Sequence, residues 1–256
     1  MAWLSDRPSW ERVPFMRGMG AYFSRFTPGA RNGYVRLFRW LKIEGAQFAV
    51  ASLNYENLIE HALCRNGYAL NGDGASEPSA TKTILKPHGS CGFLSHAPGV
   101  TMRNVRSENT KTDMQISTRV ELDREKLRQW YEDPENESLA PVMSYYAPGK
   151  HTRTNTGYVD THRDFWRRAV GESDVCCIVG VRCNPADAHI WEPIAAAPCR
   201  LIFVNPKSED QRAFVDWCAC VSRGNATVWP KTFLEAIDDI VKITTRPAAL
   251  SQCRPS

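Results

Sequence analysis

Two short polar phrases contain the residues of this chain that are best suited to chemistry. Asn54 follows an apolar run at residues 48–53, and His88 follows a shorter β-type run at residues 83–85. We expect both side chains at the carboxyl ends of strands, where open α/β sheets bind their ligands. An amide and an imidazole that meet at such an edge can bind a ribose hydroxyl or activate a water molecule.

The elements predicted around these residues alternate between strands and helices. Continuous apolar strands between amphipathic helices indicate a parallel sheet that is covered on both faces. We therefore predict an α/β fold, a three-layer Rossmann-like parallel sheet, in a single domain over residues 1–256. The predicted strands are 47–53, 82–87, 174–181, 200–204 and 226–229; the predicted helices are 34–41, 56–66, 159–170, 186–197, 209–221 and 231–242; a loop is predicted at 68–80.

Two segments depart from this alternation. Residues 1–46 are predicted to be an irregular N-terminal segment that ends in the helix at 34–41, because prolines and glycines are frequent before that helix. Residues 91–156 contain turn signals, an extended stretch at 114–117 and a helix at 123–131. We predict that they form an inserted, loop-rich lid across the sheet edge, after which residues 157–242 form the second Rossmann half.

Composition and charge narrow the class of partner. Hydrophobic residues make up 43% of the 256 residues, which is enough for a packed core. A net charge of +4 and a pI near 8.6 suit an anionic small molecule but make a nucleic-acid partner improbable. The basic residues Arg163, Arg167 and Arg168 alternate with acidic ones, so we expect an ordinary solvated helix face there.

The cysteines point to a reduced, metal-free protein. Their number, nine, is odd, and no secretory leader or apolar stretch of about 20 residues accompanies them, so we expect a cytoplasmic protein without a membrane partner. Cys176-Cys177 and Cys218-Ala219-Cys220 lack the spacing of paired zinc ligands. We expect small, buried thiols and no metal.

Five phrases between about residue 47 and residue 242 share an order and spacing with a known family. The phrases are LNYENLIE at 53–60, LKPHGS at 85–90, IVGV at 178–181, NPADAHIW at 184–191 and LIFVNP at 201–206. Together they resemble the sirtuin-like NAD-binding family, in the broad sense that includes NAD-cleaving bacterial defence proteins. The phrase at 184–191 is similar to the branch of that family that does not remove acyl groups.

The resemblance implies an NAD glycohydrolase, with NAD as the substrate and nicotinamide and ADP-ribose as products. We expect His88 to act as the general base, on water or on a ribose hydroxyl, and Asn54 to hold the ribose or the water. The resemblance also implies that Gly89, Gly180, Val181 and Asn205 bind the nucleotide. It suggests a role in anti-phage defence and a homo-oligomer or regulatory partner that controls the activity.

Two departures from the family leave other functions open. The Gly-Ala-Gly-x-Ser loop that binds the pyrophosphate is missing, so we expect that the chain begins after that loop or has lost it; residues 17–21 read as a turn instead. The four-cysteine zinc ribbon of the deacylases is missing too. A non-catalytic nucleotide-sensing or interaction domain is therefore an alternative, and an NAD-dependent protein deacylase is a more distant one.

Each candidate residue also has a structural interpretation. Asn54 could cap the helix that follows it, His88 could be a hydrogen-bonded core histidine, and Asn205-Pro206 could form an ordinary turn. His162 has no special context, and we expect it at the surface.

Overall fold

The computed structural model describes residues 9–70, 84–105, 116–144 and 155–245. The helices are α1 (Ser9–Phe23), α2 (Gly33–Ile43), α3 (Leu58–Arg65), α4 (Arg124–Glu132), α5 (Thr156–Glu172), α6 (Ala188–Ala196), α7 (Ser208–Cys220) and α8 (Phe233–Thr245). The strands are β1 (Val50–Ala51), β2 (Ile84–Leu85), β3 (Gly89–His96), β4 (Ser117–Val120), β5 (Pro141–Met143), β6 (Val175–Val179), β7 (Arg200–Val204) and β8 (Ala226–Trp229). Most of the loop predicted at 68–80, and Met114 and Gln115 of the predicted extended stretch, lie outside the described residues.

The chain divides into two compact units. The first contains residues 1–28 and 50–165, and the second contains residues 29–49 and 166–256. The prediction that residues 1–256 act as a single domain stays a prediction.

The first unit contains a short parallel strand pair and an antiparallel sheet. β1 pairs with β2 in parallel, with Ala51 opposite Leu85. β3 lies between β4 and β5 and is antiparallel to both. All but the last residue of β3 are buried, so this strand lies at the centre of the unit.

Helix α1 corrects the prediction of an irregular N-terminal segment. Met16, Met19 and Phe23 recur at helical spacing and pack in one cluster with Tyr55 and Cys91 of the first unit. This buried apolar contact outweighs the weak helix propensity of the prolines and glycines. Residues 17–21 are accordingly helical and do not form a turn.

The predicted insertion at 91–156 has more regular structure than its turn signals indicate. Its helix is confirmed as α4, which begins where the Asp123 side chain accepts a hydrogen bond from the Lys126 N–H. The long strand β3 was not predicted, because Gly89, Ser90 and Gly92 interrupt the apolar pattern. The proposed lid role of this segment stays a prediction.

The second unit follows the predicted alternation closely. β6, β7 and β8 form a parallel sheet in that order, and β7 and β8 have the predicted bounds. Leu201, Ile202 and Phe203 of β7 are fully buried, as expected for the centre of a parallel sheet. The rings of Phe203 and Phe214 stack with centroids 4.2 Å apart and fix α7 on this sheet.

An α/β fold with parallel sheets is therefore confirmed. The described strands lie in three separate sheets, so a single three-layer Rossmann-like sheet stays a prediction. Within the described ranges, no helix combines the length and apolar character that crossing a membrane requires.

The thiols are only partly in the expected environment. Cys91, Cys199 and Cys218 are buried, whereas Cys64 and Cys220 are exposed. Burial raises the pKa of the Cys91 thiol to about 12, so this thiol is protonated and inert at neutral pH.

Candidate functional site

The register of β1 and β2 brings the phrases of Asn54 and His88 to one edge. Ala51 and Leu85 are partners in the parallel pair, and Asn54 and His88 each lie three residues beyond them. The predicted position of both residues at the carboxyl ends of strands is therefore confirmed. Parallel strands end at the same side of a sheet, so this edge is the natural place for a ligand.

His88 is a buried histidine whose ring contacts the backbone of the loop after β1. The residue is 3% exposed, and Nδ1 lies 3.3 Å from the carbonyl oxygen of Leu53. A carbonyl oxygen can only accept a hydrogen bond, so this contact requires a proton on Nδ1. The predicted role of the ring as a general base therefore concerns its other nitrogen, Nε2.

Asn54 is exposed and does not cap the next helix. The residue at the N-cap of α3 is Asn57, so the capping interpretation of Asn54 is wrong. The Asn54 backbone N–H binds Ser52 Oγ at 3.2 Å, and its side chain makes no hydrogen bond to another described residue. Its amide is therefore directed to solvent or to a ligand.

A buried ion pair lies beneath this edge, and the sequence did not reveal it. Lys86 is 1% exposed, and its Nζ lies 3.1 Å from Oε1 of Glu60 on α3. The same Nζ donates to the carbonyl oxygens of Asn54, at 3.1 Å, and Glu56, at 2.7 Å. An ammonium group has three hydrogens, so these three acceptors use all of them.

Ser90 and Asn57 continue the polar contacts into β3. Ser90 Oγ donates to Asn57 Oδ1 at 2.7 Å and accepts a hydrogen bond from the Gly92 N–H at 3.2 Å. The Cys91 N–H donates to the Tyr55 carbonyl at 2.9 Å. The segment after β2 therefore holds the loop after β1 along its whole length.

His162 corrects the prediction of a surface histidine. It lies on α5, and its Nδ1 accepts a hydrogen bond of 3.3 Å from the Lys86 backbone N–H. Its ring stacks on Phe93, with centroids 5.2 Å apart. Burial, and secondarily the Lys86 charge, lower the pKa of His162 to about 4, so the ring is neutral at pH 7.

Arg163 is also less exposed than a solvated helix face requires. Its side chain is 18% exposed, and Nε donates to the Pro87 carbonyl at 3.2 Å. With His162, it fixes the turn at 86–88 from the α5 side. Sequence reasoning missed both residues because the surrounding charges are typical of a solvated helix.

The backbone geometry explains why residue 89 is a glycine. Its φ is +79°, and a Cβ atom there would lie 2.1 Å from the Val142 carbonyl oxygen of β5. Only glycine allows β3 and β5 to approach in this way. The nucleotide-binding role predicted for Gly89 stays a prediction.

The other predicted binding residues lie in the second unit. Gly180 follows β6 with a φ of +64°, and no group of the described residues lies within 4 Å of its Cβ position. Half-buried Val181 comes next. Asn205 is 4% exposed, and its amide binds the Lys207 N–H at 3.0 Å and Asp210 at 3.2 Å. Gly180 therefore leaves room for a ligand, and Asn205 orders the turn that follows β7. The nucleotide-binding roles predicted for Gly180, Val181 and Asn205 stay predictions.

No known protein family and no curated protein matches this sequence. The roles of Asn54 and His88 therefore depend on their geometry and on the motifs that surround them.

Proposed function

We propose that this protein binds NAD and hydrolyses the bond between nicotinamide and ribose, with His88 and Asn54 as the catalytic residues. The observation that carries the proposal is their shared position, three residues beyond the register partners Ala51 and Leu85. This register supports a shared strand edge for an exposed amide and an imidazole, and such an arrangement would suit the reaction.

The reaction needs a base but no acid. Nicotinamide in NAD is already cationic, so it leaves with the electron pair of the broken C–N bond as a neutral molecule. A water oxygen then forms the new bond to the ribose carbon, and the proton of that water must be accepted. Because His88 Nδ1 contacts the Leu53 carbonyl, we assign the other ring nitrogen, Nε2, to accept it.

Asn54 is suited to hold the reacting groups. Its amide both donates and accepts hydrogen bonds, so one side chain can orient a ribose hydroxyl and the attacking water. Its exposure lets it contact a ligand, while its backbone is fixed by Ser52 and Lys86. Orientation of this kind is a large part of the rate enhancement when the leaving group departs unaided.

The second unit supports a nucleotide-binding role. A parallel sheet in the order β6-β7-β8 and the open backbone at Gly180 are features of the second half of a Rossmann-like fold. We extend the proposal to a three-layer Rossmann-like arrangement in which Gly180 and Val181 approach the nucleotide.

A product assay without any peptide tests this function. The purified protein is incubated with NAD, and the products are separated by chromatography. We expect nicotinamide and ADP-ribose in equal amounts. A protein deacylase would instead form acyl-ADP-ribose, and only after an acylated peptide is added. Intact NAD after prolonged incubation with folded protein would overturn the proposed activity.

A second candidate is a non-catalytic domain that binds NAD or ADP-ribose. The observation that favours it is the 3% exposure of His88, since a general base must reach water. Isothermal titration with NAD and ADP-ribose distinguishes the two functions. Binding of both nucleotides without release of nicotinamide supports the non-catalytic domain.

A further inference from the structure

We propose that Lys86 is a positioning residue, whose buried ammonium group sets the conformation of the loop at 54–56 and thereby the direction of the Asn54 amide. The expected effect of Lys86 on turnover depends on the NAD hydrolysis proposed above, whereas its effect on the loop conformation is independent of that activity.

Four consecutive carbonyl oxygens after β1 accept hydrogen bonds from the segment that follows β2. Because β1 ends at Ala51, this loop has no strand partner for these groups, and the side chains and backbone at 86–91 replace one. The donors are His88 Nδ1 to Leu53, Lys86 Nζ to Asn54, the Cys91 N–H to Tyr55, and Lys86 Nζ to Glu56.

Lys86 provides two of these contacts from one atom. Its Nζ binds the carbonyl of Asn54 and the carbonyl of Glu56, so a single charge fixes the peptide group after Asn54 and the peptide group after Glu56. Among the described residues, no other donor binds either carbonyl. Without the ammonium group, both carbonyls would lose their donor, and the loop would change conformation so that they reach water.

Glu60 has a different role from Lys86. Its Oε1 balances the buried charge at 3.1 Å but contacts neither the loop nor Asn54 among the described hydrogen bonds. Removal of one partner of a buried pair leaves an uncompensated charge, whereas replacement of both partners by neutral groups is far better tolerated. The stability of the fold and the hold on the loop can therefore be separated.

The experiment compares Lys86→Met, Glu60→Gln and the double variant with the wild-type protein. Lys86→Met is expected to lower the unfolding temperature, and the double variant is expected to recover most of that loss because no buried charge remains. The double variant still lacks the donor to the loop. We expect its kcat for NAD to fall about 100-fold, as for a misplaced catalytic group, with a smaller change in KM.

Glu60→Gln keeps the ammonium group and both carbonyl contacts. It is expected to lose far less turnover than the double variant, even where it is less stable. Arg128→Ala is the matched control, because Arg128 forms exposed ion pairs with Glu125 and Glu132 of α4 in the same unit. It is expected to leave both kcat and stability nearly unchanged.

Hydrogen exchange measured by mass spectrometry reports on the loop without any activity. The peptide over residues 53–58 is expected to exchange faster in the double variant than in Glu60→Gln or in the wild-type protein. Unchanged exchange and turnover in a folded double variant would overturn the role of Lys86. If the double variant exchanges faster and the wild-type protein does not cleave NAD, the positioning role of Lys86 is supported and the proposed NAD hydrolysis is refuted.

Discussion

The imidazole Nδ1 of His88 lies 3.3 Å from the carbonyl oxygen of Leu53, the residue immediately before Asn54. One hydrogen bond therefore orients the proposed base and ties it to the backbone that presents the proposed ribose ligand. A change on either side of this contact affects the other, so the most informative variants are those that keep the contact and remove a single chemical property.

His88→Asn is expected to remove the base while preserving the contact. The asparagine amide stands at the position of Nδ1 and can still donate to the Leu53 carbonyl, but it cannot accept a proton from water at neutral pH. We expect kcat for nicotinamide release to fall by about 100- to 10,000-fold, measured by chromatography, with little change in the unfolding temperature. Turnover near the wild-type value in this variant would exclude His88 as the base.

Asn54→Ala is expected to nearly abolish nicotinamide release without disturbing the fold. The side chain is exposed and makes no hydrogen bond to the described residues, so the change in the free energy of unfolding is expected within about 0.5 kcal/mol. Asn54→Asp provides a sharper comparison, since aspartate accepts hydrogen bonds but loses the amide donor. If both variants cleave NAD at the wild-type rate, Asn54 has no part in catalysis.

The stability of the protein is expected to fall in mild acid because of His162. Its pKa is about 4 in the folded state and 6.5 when unperturbed, so the unfolded chain binds the proton first as the pH falls. The resulting stability is complete above pH 6.5 and is lost progressively down to pH 4, by roughly 3 kcal/mol.

His162→Asn tests this pH dependence, because its amide oxygen stands at the position of Nδ1, where it can still accept the Lys86 N–H, but does not titrate. Denaturant unfolding between pH 4 and pH 7 is expected to show a shallower slope in this variant than in the wild-type protein. His96→Asn, at an exposed histidine, is expected to keep the wild-type slope. Parallel curves for the wild-type and His162 variants would contradict the neutral, half-buried state of His162.

Two glycines of α1 are expected to respond in opposite directions to alanine. A Cβ atom at Gly20 would lie 2.2 Å from Oη of Tyr131, whose hydroxyl donates to the Cys91 carbonyl at 2.7 Å. Because that ring is half-buried and its hydroxyl is hydrogen-bonded, Gly20→Ala is expected to destabilise the protein by about 1–3 kcal/mol. Among the described residues, no group lies within 4 Å of the Gly18 Cβ position, so Gly18→Ala is expected to stabilise α1 by about 0.5–1 kcal/mol. Denaturant unfolding of both variants measures these changes, and a shared sign would be inconsistent with the packing of α1.

The second unit was the most predictable part of the fold. β7 and β8 are short apolar runs between amphipathic helices, and their bounds match the prediction. α1 and β3 were missed, since their stability comes from burial against distant parts of the chain and their local sequences are rich in glycine, proline and serine. Propensity cannot reveal contacts of this kind.

The candidate site, like the fold, could be predicted from the sequence only in part. The position of Asn54 and His88 followed from the two apolar runs that precede them, because strand ends are encoded locally. Lys86 was predicted only as a residue of the strand at 82–87, and nothing in the sequence indicated that its partner was Glu60 on α3. A buried ion pair depends on which helix packs under the strand edge, and a local pattern does not contain that information.

The burial of Lys86 also determines how the loop at 54–56 responds to the ionic strength of the solution. Dissolved ions cannot come between an ammonium group that is 1% exposed and its three acceptors, so Debye screening, which weakens exposed pairs such as that of Arg128 and Glu132, does not weaken this one. The loop conformation is therefore expected to persist at high ionic strength. A salt dependence of turnover would then report on the capture of the charged substrate and not on the geometry of the catalytic edge.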